Sequence, residues 1–286
     1  ITGLSQSRNV QVVSTQRLHD ILKLLGREGQ KRIGRTIATQ VAQKSNAKWM
    51  LLGTILETTP HLIMTTQLIE VTTGQVTSAA RIQGKNGEDI FVLSDSLTAK
   101  ISDDLSWPVR DDLASTGAAQ RKTNSLDAYR YYLEAVDAFY RYDGTATFAA
   151  LRKAREFDST FAMVYYLAAS CQWLWYANAD TVNIAKAVKY SDKATQVERL
   201  YIESMQSLIV ADYPQGIALL ERLVARYPDE KDAYQLLGIC YGRLHQLQKS
   251  TDYYLKTLEL DSLFADGYAV LIHNLFNLGD YDKSIW

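Results

Sequence analysis

One stretch of 34 residues in the second half of the chain decides the fold. Residues 231–264 read KDAYQLLGICYGRLHQLQKSTDYYLKTLELDSLF. Large and small residues recur three and four positions apart in two successive segments, which predicts two amphipathic helices joined by a short turn. Gly238 lies in the first segment, where we expect the neighbouring helix to come close because glycine carries no side chain. The stretch therefore predicts a pair of antiparallel helices.

The pattern of this stretch recurs along the chain. Residues 256–265 read KTLELDSLFA and echo KAREFDSTFA at residues 153–162, a spacing of 103, which is close to three times 34. A period of 34 residues is the length of the tetratricopeptide unit. It divides residues 125–286 into about five units, the last of which stops after 22 residues. We therefore expect the array to be cut within that last unit.

The unit of residues 231–264 resembles the tetratricopeptide repeat (TPR) family. Large, small and aromatic residues stand at the family's offsets, with Ser250 and Thr257 in place of alanines and Ser262 in place of a proline. The resemblance covers about residues 125–286. It implies an all-α solenoid whose concave face, lined by the first helix of each unit, binds a peptide or a partner protein.

Candidate partner-binding residues follow from this resemblance. The groove positions of the two best units are Asp232, Gln235, Ile239, Gly242, Arg243, Asp266, Ala269, His273, Phe276 and Asn277. Of these we select Gln235, Ile239, Arg243, His273 and Asn277 as partner-binding residues. Packing against a neighbouring repeat or against the first domain is an equally weighted alternative for each. The Lys and Asn pairing by which some family members clamp a terminal carboxylate is missing.

An aromatic cluster in the second unit adds two further candidates. Trp173, Trp175 and Tyr176 lie in an extended middle segment, residues 173–180, which lengthens the helices or the turn between them. Aromatic residues are enriched at binding hot spots, so Trp173 and Trp175 are candidate anchors for a partner. The alternative, which we favour, is a buried plug between repeats.

The first half of the chain has a different pattern, in which strands and helices alternate. The predicted order is strand, helix, helix, three strands, helix, which makes a small α/β, sandwich-like domain with an antiparallel portion. Its elements are a strand at residues 9–14, a helix ending at Gly26, a helix at 33–45, a buried strand at 49–56, a hairpin of strands at 61–71 and 75–82, and a helix at 88–105.

Several segments of this half carry a second resemblance. They are LSQS at residues 4–7, VQVVS at 10–14, WMLLGTI at 49–55, QLIEVTTG at 67–74 and EDIF at 88–91. Together they resemble the amino-terminal domain of TolB and related CsgG/FlgO-like envelope domains, over about residues 1–107, with the family's opening strand and most of its first helix missing. The resemblance implies a bacterial, often extracytoplasmic, interaction domain that has no catalytic residues.

Composition excludes several classes of protein. The 286 residues include 31 Lys and Arg against 32 Asp and Glu, so a domain that depends on many phosphate contacts is disfavoured. No apolar run approaches the roughly 18 residues that span a bilayer. The four histidines and two cysteines have no spacing typical of a metal site, and the loop at residues 26–32 lacks the order of a phosphate-binding loop. We therefore expect no cofactor and no metal.

The tyrosines mark a boundary between the two halves. All 18 lie at or after Tyr129, and a segment at residues 108–124 that mixes Pro, Asp, Ser, Thr and Gly, with little periodicity, reads as a linker. Five of them, Tyr234, Tyr241, Tyr254, Tyr268 and Tyr281, stand at recurring large-residue positions, so we interpret the excess as repeat packing. The predicted domains are residues 1–107 and 125–286.

These observations favour a non-enzymatic protein interaction module, the sensor or scaffold arm of a larger bacterial regulator. The alternative is an envelope assembly factor or periplasmic lipoprotein that oligomerises through its CsgG/FlgO-like domain. Family resemblance favours an extracytoplasmic location and leaves a cytoplasmic one and homo-oligomerisation open. No nucleic-acid partner is expected.

Overall fold

The computed structural model describes residues 33–58, 61–84, 125–228, 230–262 and 264–284, together with Thr123 and scattered residues within 13–27 and 93–103. Contacts divide the chain into two units, residues 1–119 and residues 120–286, and each is taken by itself. The predicted strand at 9–14, most of the loop at 26–32 and most of the predicted linker lie outside the described residues. Thr123 is only 2% exposed and donates a hydrogen bond to Asp158, so its contacts belong to the second unit.

The first unit contains an antiparallel sheet of three strands in chain order. Helix α1 (Arg35–Lys44) is followed by β1 (Trp49–Thr58), β2 (His61–Glu70) and β3 (Val76–Gly84), with β2 in the centre. Gly74 ends the turn between β2 and β3 with a φ of +71°, a conformation that glycine adopts without strain. The predicted hairpin and the helix at 33–45 are thus confirmed.

Both faces of this sheet carry apolar clusters. Met50 and Ile69 pack with Ala42 of α1 on one face. On the other face, Ala80 packs with Leu97 and Ile101, which lie in the helical stretch predicted at 88–105. The prediction of a buried strand at 49–56 holds only in part. Met50 is buried, whereas Gly53 and Thr54 are exposed.

The second unit consists of helix pairs. Its first-of-pair helices are α2 (Leu126–Tyr140), α4 (Ala162–Tyr176), α6 (Gln196–Ile209), α8 (Lys231–Arg243) and α10 (Ala265–Asn277). Their partners are α3 (Gly144–Phe157), α5 (Thr181–Lys189), α7 (Tyr213–Arg226), α9 (Leu247–Leu260) and α11 (Tyr281–Ser284), with a 3-10 turn at Ser191–Lys193 after α5. Successive first helices begin 36, 34, 35 and 34 residues apart, so the predicted repeat interval is confirmed.

Short turns with a left-handed residue separate the helices of each pair. These residues are Tyr142, Ala177, Ala211, His245 and Gly279, with φ values between +50° and +79°. In the first three pairs an aspartate then caps the second helix by accepting a backbone N–H three residues later, at 2.9 to 3.2 Å. The chain therefore reverses direction in three or four residues, which places the two helices of a pair side by side.

Local signals also account for the third pair, whose first helix has the weakest repeat pattern. Thr195 accepts from the backbone N–H of Glu198, and the Glu198 carboxylate accepts from the backbone N–H of Thr195 in return. This reciprocal capping box satisfies two helix N–H groups that would otherwise be left without partners. The sequence contains this capping signal, a threonine followed three residues later by a glutamate. A search for repeats does not detect it, because the signal is not part of the repeat pattern.

Gly238 lies where the two helices of the fourth pair come into contact. A Cβ at this position would lie 2.7 Å from ring carbons of Tyr254 on α9. Cβ atoms do not approach other carbons so closely, so glycine alone allows the Tyr254 ring to lie on α8. The predicted close approach is confirmed.

Candidate partner-binding surface

The first helix of the fifth pair, α10, has one exposed face. Ala269, His273, Phe276 and Asn277 lie at helical spacing, and all four side chains are exposed, with Phe276 60% accessible. Asn277 Nδ2 donates to the His273 carbonyl oxygen at 2.8 Å and lies 3.2 Å from His273 Nε2. This face therefore combines an apolar ring with an amide and an imidazole.

The remaining three groove candidates, which lie on the fourth pair, differ in exposure. Arg243 at the end of α8 is exposed, whereas Gln235 and Ile239 are half-buried. Ile239 also packs against the cluster of Tyr254, Leu258 and Phe264, so its side chain contributes to the core as well as to the surface.

Two aspartates predicted to face an open groove bind tyrosines of the first helix pair instead. Tyr140, the last residue of α2, donates from its hydroxyl to Asp232 Oδ2 at 2.8 Å. Tyr142, in the turn that follows, donates to Asp266 Oδ2, also at 2.8 Å. Contacts between the first pair and the fourth and fifth pairs require the array to curve toward its first helices. Asp232 and Asp266 therefore follow the packing alternative and not the open-groove one, because side chains of the first pair close this part of the concave side.

A buried lysine lies beside the Tyr140 contact. Lys231 Nζ is 3.3 Å from Asp261 Oδ2 and 3.6 Å from Asp232 Oδ1, and the centroids of the Phe264 and Tyr140 rings lie 4.8 and 5.7 Å from it. Lys231 is 5% exposed and Asp261 is fully buried. Removing Lys231 would leave the buried Asp261 carboxylate without this compensating charge, which is strongly destabilising.

Further tyrosines line the inner side of the array. Tyr201 of α6 donates to Glu230 Oε2 at 2.9 Å, and the ring of Tyr166 of α4 lies 6.1 Å from that of Tyr201. Burial is the largest cause that raises the pKa of Tyr140, Tyr166 and Tyr201 above the ordinary value of 10.0. Nearby Asp232 raises the pKa of all three further, and Glu230 also raises the pKa of Tyr166 and Tyr201. These phenols therefore stay neutral at physiological pH, and the hydroxyls of Tyr140 and Tyr201 serve as hydrogen-bond donors.

The tryptophans lie between the first two pairs. The ring of Trp175 stacks on Phe139 of α2, with centroids 4.9 Å apart and planes 17° apart, and Tyr142 lies 6.0 Å away. Trp173 is half-buried against the main core. These contacts match the interpretation as a plug between repeats, and a role for Trp173 or Trp175 in partner binding stays a prediction. Tyr176 is 57% exposed.

A polar chain through the last pairs was not anticipated. Ser250 Oγ donates to the Gly238 carbonyl oxygen at 2.8 Å and accepts from Asn274 Nδ2 at 2.9 Å. Both side chains are at most 2% exposed. Because an alanine could make neither bond, this chain explains the serine that departs from the TPR pattern, and it links α8, α9 and α10.

The described residues lack the features of several other kinds of site. In that part of the chain no three His, Cys, Asp or Glu side chains lie close enough together to hold a metal ion. None of its helices has the length and apolar character needed to cross a bilayer. Burial raises the pKa of the Cys171 and Cys240 thiols to about 12, so neither is a reactive thiolate at neutral pH.

The chain was compared with known proteins. No family model matches it, and no curated protein matches it. Among solved structures it is similar to the crystal structure of MamA protein, at 18% identity and a TM-score of 0.35 over 56% of this chain and 86% of that one. It is also similar to a MamA RS-1 ArsTM double mutant, at 18% identity and a TM-score of 0.34 over 56% and 89%. A third similar structure is PilW, a widely conserved type IV pilus biogenesis factor, at 15% identity and a TM-score of 0.40 over 68% and 86%.

Proposed function

We propose that this protein is a non-enzymatic interaction module that binds a segment of a partner protein along the first-helix side of its last two helix pairs. The exposed face of α10, where Phe276 is 60% accessible beside His273 and Asn277, carries this proposal. An apolar ring among polar groups suits a peptide whose side chain covers the ring while its backbone binds the amide.

The closed part of the concave side limits where such a segment binds. Tyr140 and Tyr142 donate hydrogen bonds to Asp232 and Asp266, which lie at the starts of α8 and α10. The opposite ends of the same helices carry exposed Arg243 and the exposed pair His273 and Asn277. We therefore assign the partner to these carboxyl-terminal ends, with Gln235 and Ile239 at the inner border.

The finer assignments are part of the same proposal. Residues 125–286 form a TPR array and residues 1–107 a TolB-like domain, which together act as the sensor or scaffold arm of a larger bacterial regulator. The helix-pair interval of 34 to 36 residues and the short left-handed turns support the first assignment. The antiparallel order of β1, β2 and β3, with helices on both faces, is compatible with the second.

A selection experiment with the full chain tests the binding surface. Peptides selected from a random display library for binding to the chain are synthesised and titrated by fluorescence anisotropy. We expect Arg243→Glu combined with Gln235→Lys to weaken binding of the selected peptides by about tenfold, with unchanged helical circular dichroism. Arg222→Glu on α7, an exposed cation outside this surface, is the control. Equal binding by the double variant and the wild type would refute the assignment.

A further inference from the structure

A cluster of cations lies on a second surface, formed by the second helices of the first two pairs. Arg155 of α3, Lys186 and Lys189 of α5, and Lys193 of the 3-10 turn lie together there, and we call these four residues the basic surface. The three lysines are exposed and Arg155 is half-exposed. Tyr165 and Tyr190 lie beneath them.

The two tyrosine rings hold the cations in place. Their centroids are 5.9 Å apart. Arg155 Cζ and Lys186 Nζ lie 5.7 and 5.4 Å from the Tyr165 centroid, and Lys189 Nζ lies 5.4 Å from the Tyr190 centroid. Cations at these distances from a ring face are attracted by its quadrupole. Arg155 Cζ and Lys189 Nζ are at most about 17 Å apart, which is the sum of the distance between the two ring centroids and the distance of each cation from its ring. An extended peptide of about five residues spans this distance.

The charges of this cluster are largely uncompensated. None of the four cations forms a salt bridge with an Asp or Glu among the described residues, although neighbouring Lys153 pairs with Glu156 at 3.2 Å. Lys193 Nζ instead donates to Thr160 Oγ1 at 3.2 Å, close to Asp158, whose charge offsets part of its own. Arg155, Lys186 and Lys189 therefore make a concentrated positive region on a unit that carries 18 basic and 21 acidic residues.

We propose that the basic surface docks a short acidic segment, rich in Asp or Glu, of a partner protein. Carboxylates match the exposed ammonium and guanidinium groups in charge and in hydrogen bonding. A single-stranded nucleic acid fits less well, because its affinity comes from bases stacking on aromatic rings, and the Tyr165 ring is only 5% exposed. The small extent of the surface and the net negative charge of the unit also disfavour a long polyanion.

This surface is separate from the one proposed above. It is built by α3, α5 and the turn after α5, whereas the first surface lies at the ends of α8 and α10. The chain would then hold two partner segments at once, which is the arrangement that a scaffold requires.

Fluorescence anisotropy of the full chain with a labelled hexapeptide of glutamate tests the proposal. We expect saturable binding at about 20 mM salt that weakens at about 150 mM, because exposed charges are screened. Lys186→Glu combined with Lys189→Glu should raise the dissociation constant at least about tenfold, and the milder Lys186→Gln with Lys189→Gln should raise it by a smaller factor. The milder pair keeps the test decisive if the charge reversal disturbs folding.

The control reverses two other exposed cations of the same unit. Lys249 also lies over a tyrosine ring, 4.9 Å from that of Tyr241, and Arg222 is exposed on α7. Lys249→Glu with Arg222→Glu makes the same change in net charge and should alter the dissociation constant less than about twofold. An equal loss in this control, the absence of saturable binding, or tighter binding of a thymidine hexanucleotide than of the peptide would each overturn the proposal.

Discussion

The hydrogen bond between Tyr140 and Asp232 connects helix pairs that are far apart in the chain, and its removal has a measurable cost. In a helix-pair array each repeat ordinarily contacts only its neighbours, so stability is close to a sum of local terms. The Tyr140 hydroxyl, at 2.8 Å from Asp232 Oδ2, adds a contact between the first and fourth pairs. Tyr140→Phe removes this hydroxyl and keeps the ring.

The expected magnitude follows from the exposure of the acceptor. A hydrogen bond to a charged group contributes about 1.5–3 kcal/mol when it is buried. Because the Asp232 side chain is 41% exposed, water replaces part of the lost bond, and we expect Tyr140→Phe to cost about 1 kcal/mol. For the second unit, residues 120–286, that corresponds to a decrease in Tm of about 2–4 °C.

Urea unfolding of the full chain, followed by circular dichroism, measures this cost in a double-mutant cycle. Tyr140→Phe, Asp232→Ala and the double variant should give a coupling energy of about 1 kcal/mol. The cycle also separates the Tyr140 contribution from that of Lys231, which lies 3.6 Å from Asp232. Tyr213→Phe is the control, because no hydrogen bond of its hydroxyl is found among the described residues, and it should change the unfolding free energy by less than about 0.5 kcal/mol. A coupling energy of zero would show that the concave side is open in solution.

Two further predictions concern packing and pH. Gly238→Ala should lower the unfolding free energy by about 1–3 kcal/mol, because the new methyl would lie 2.7 Å from the Tyr254 ring. Gly242→Ala is the control: its methyl would lie 3.5 Å from Ser250 Oγ, so this variant should be neutral or stabilise α8 by up to about 1 kcal/mol. The midpoints of urea unfolding measure both effects. Burial raises the pKa of the inner tyrosines, so their contribution to stability is complete below pH 10, the ordinary tyrosine pKa, and is lost as pH rises above it. Ultraviolet titration should therefore show one group of tyrosines that ionises only as the helices unfold, and ionisation of all 18 together in the folded chain would contradict this.

The helix pairs could be predicted from sequence because their causes are local. Residues 231–264 contain the apolar spacing of both helices and the glycine at their contact, and the structure has α8 and α9 there. The hairpin around residues 72–74 likewise follows from turn residues between two alternating segments. In both cases neighbours in the sequence are also neighbours in space.

The closed part of the concave side could not be predicted in this way. Whether Tyr140 reaches Asp232 depends on the rotation between successive helix pairs, summed from the first pair to the fourth. No short segment of the sequence specifies this summed rotation. The repeat pattern places Asp232 on the inner side of α8 and does not say what lies opposite.

The tyrosine excess consequently has two causes, of which repeat packing is one. Tyr234, Tyr241 and Tyr254 are at most 9% exposed and pack in the core, as the repeat positions predict, whereas Tyr268 and Tyr281 are 43% and 56% exposed.

Three tyrosines of the first three pairs have a different role, because their hydroxyls donate hydrogen bonds to carboxylates of the fourth and fifth pairs. Phenylalanine would pack equally well at Tyr140, Tyr142 and Tyr201, but it could not bind Asp232, Asp266 and Glu230. A hydroxyl on a rigid ring is neutral, so it satisfies a carboxylate without bringing a second charge into a half-buried site. A partner segment that extends along α8 and α10 must therefore either stop before these carboxylates or displace the tyrosines. Tyr140→Phe separates the two cases, because this variant would strengthen partner binding only where the tyrosine must be displaced.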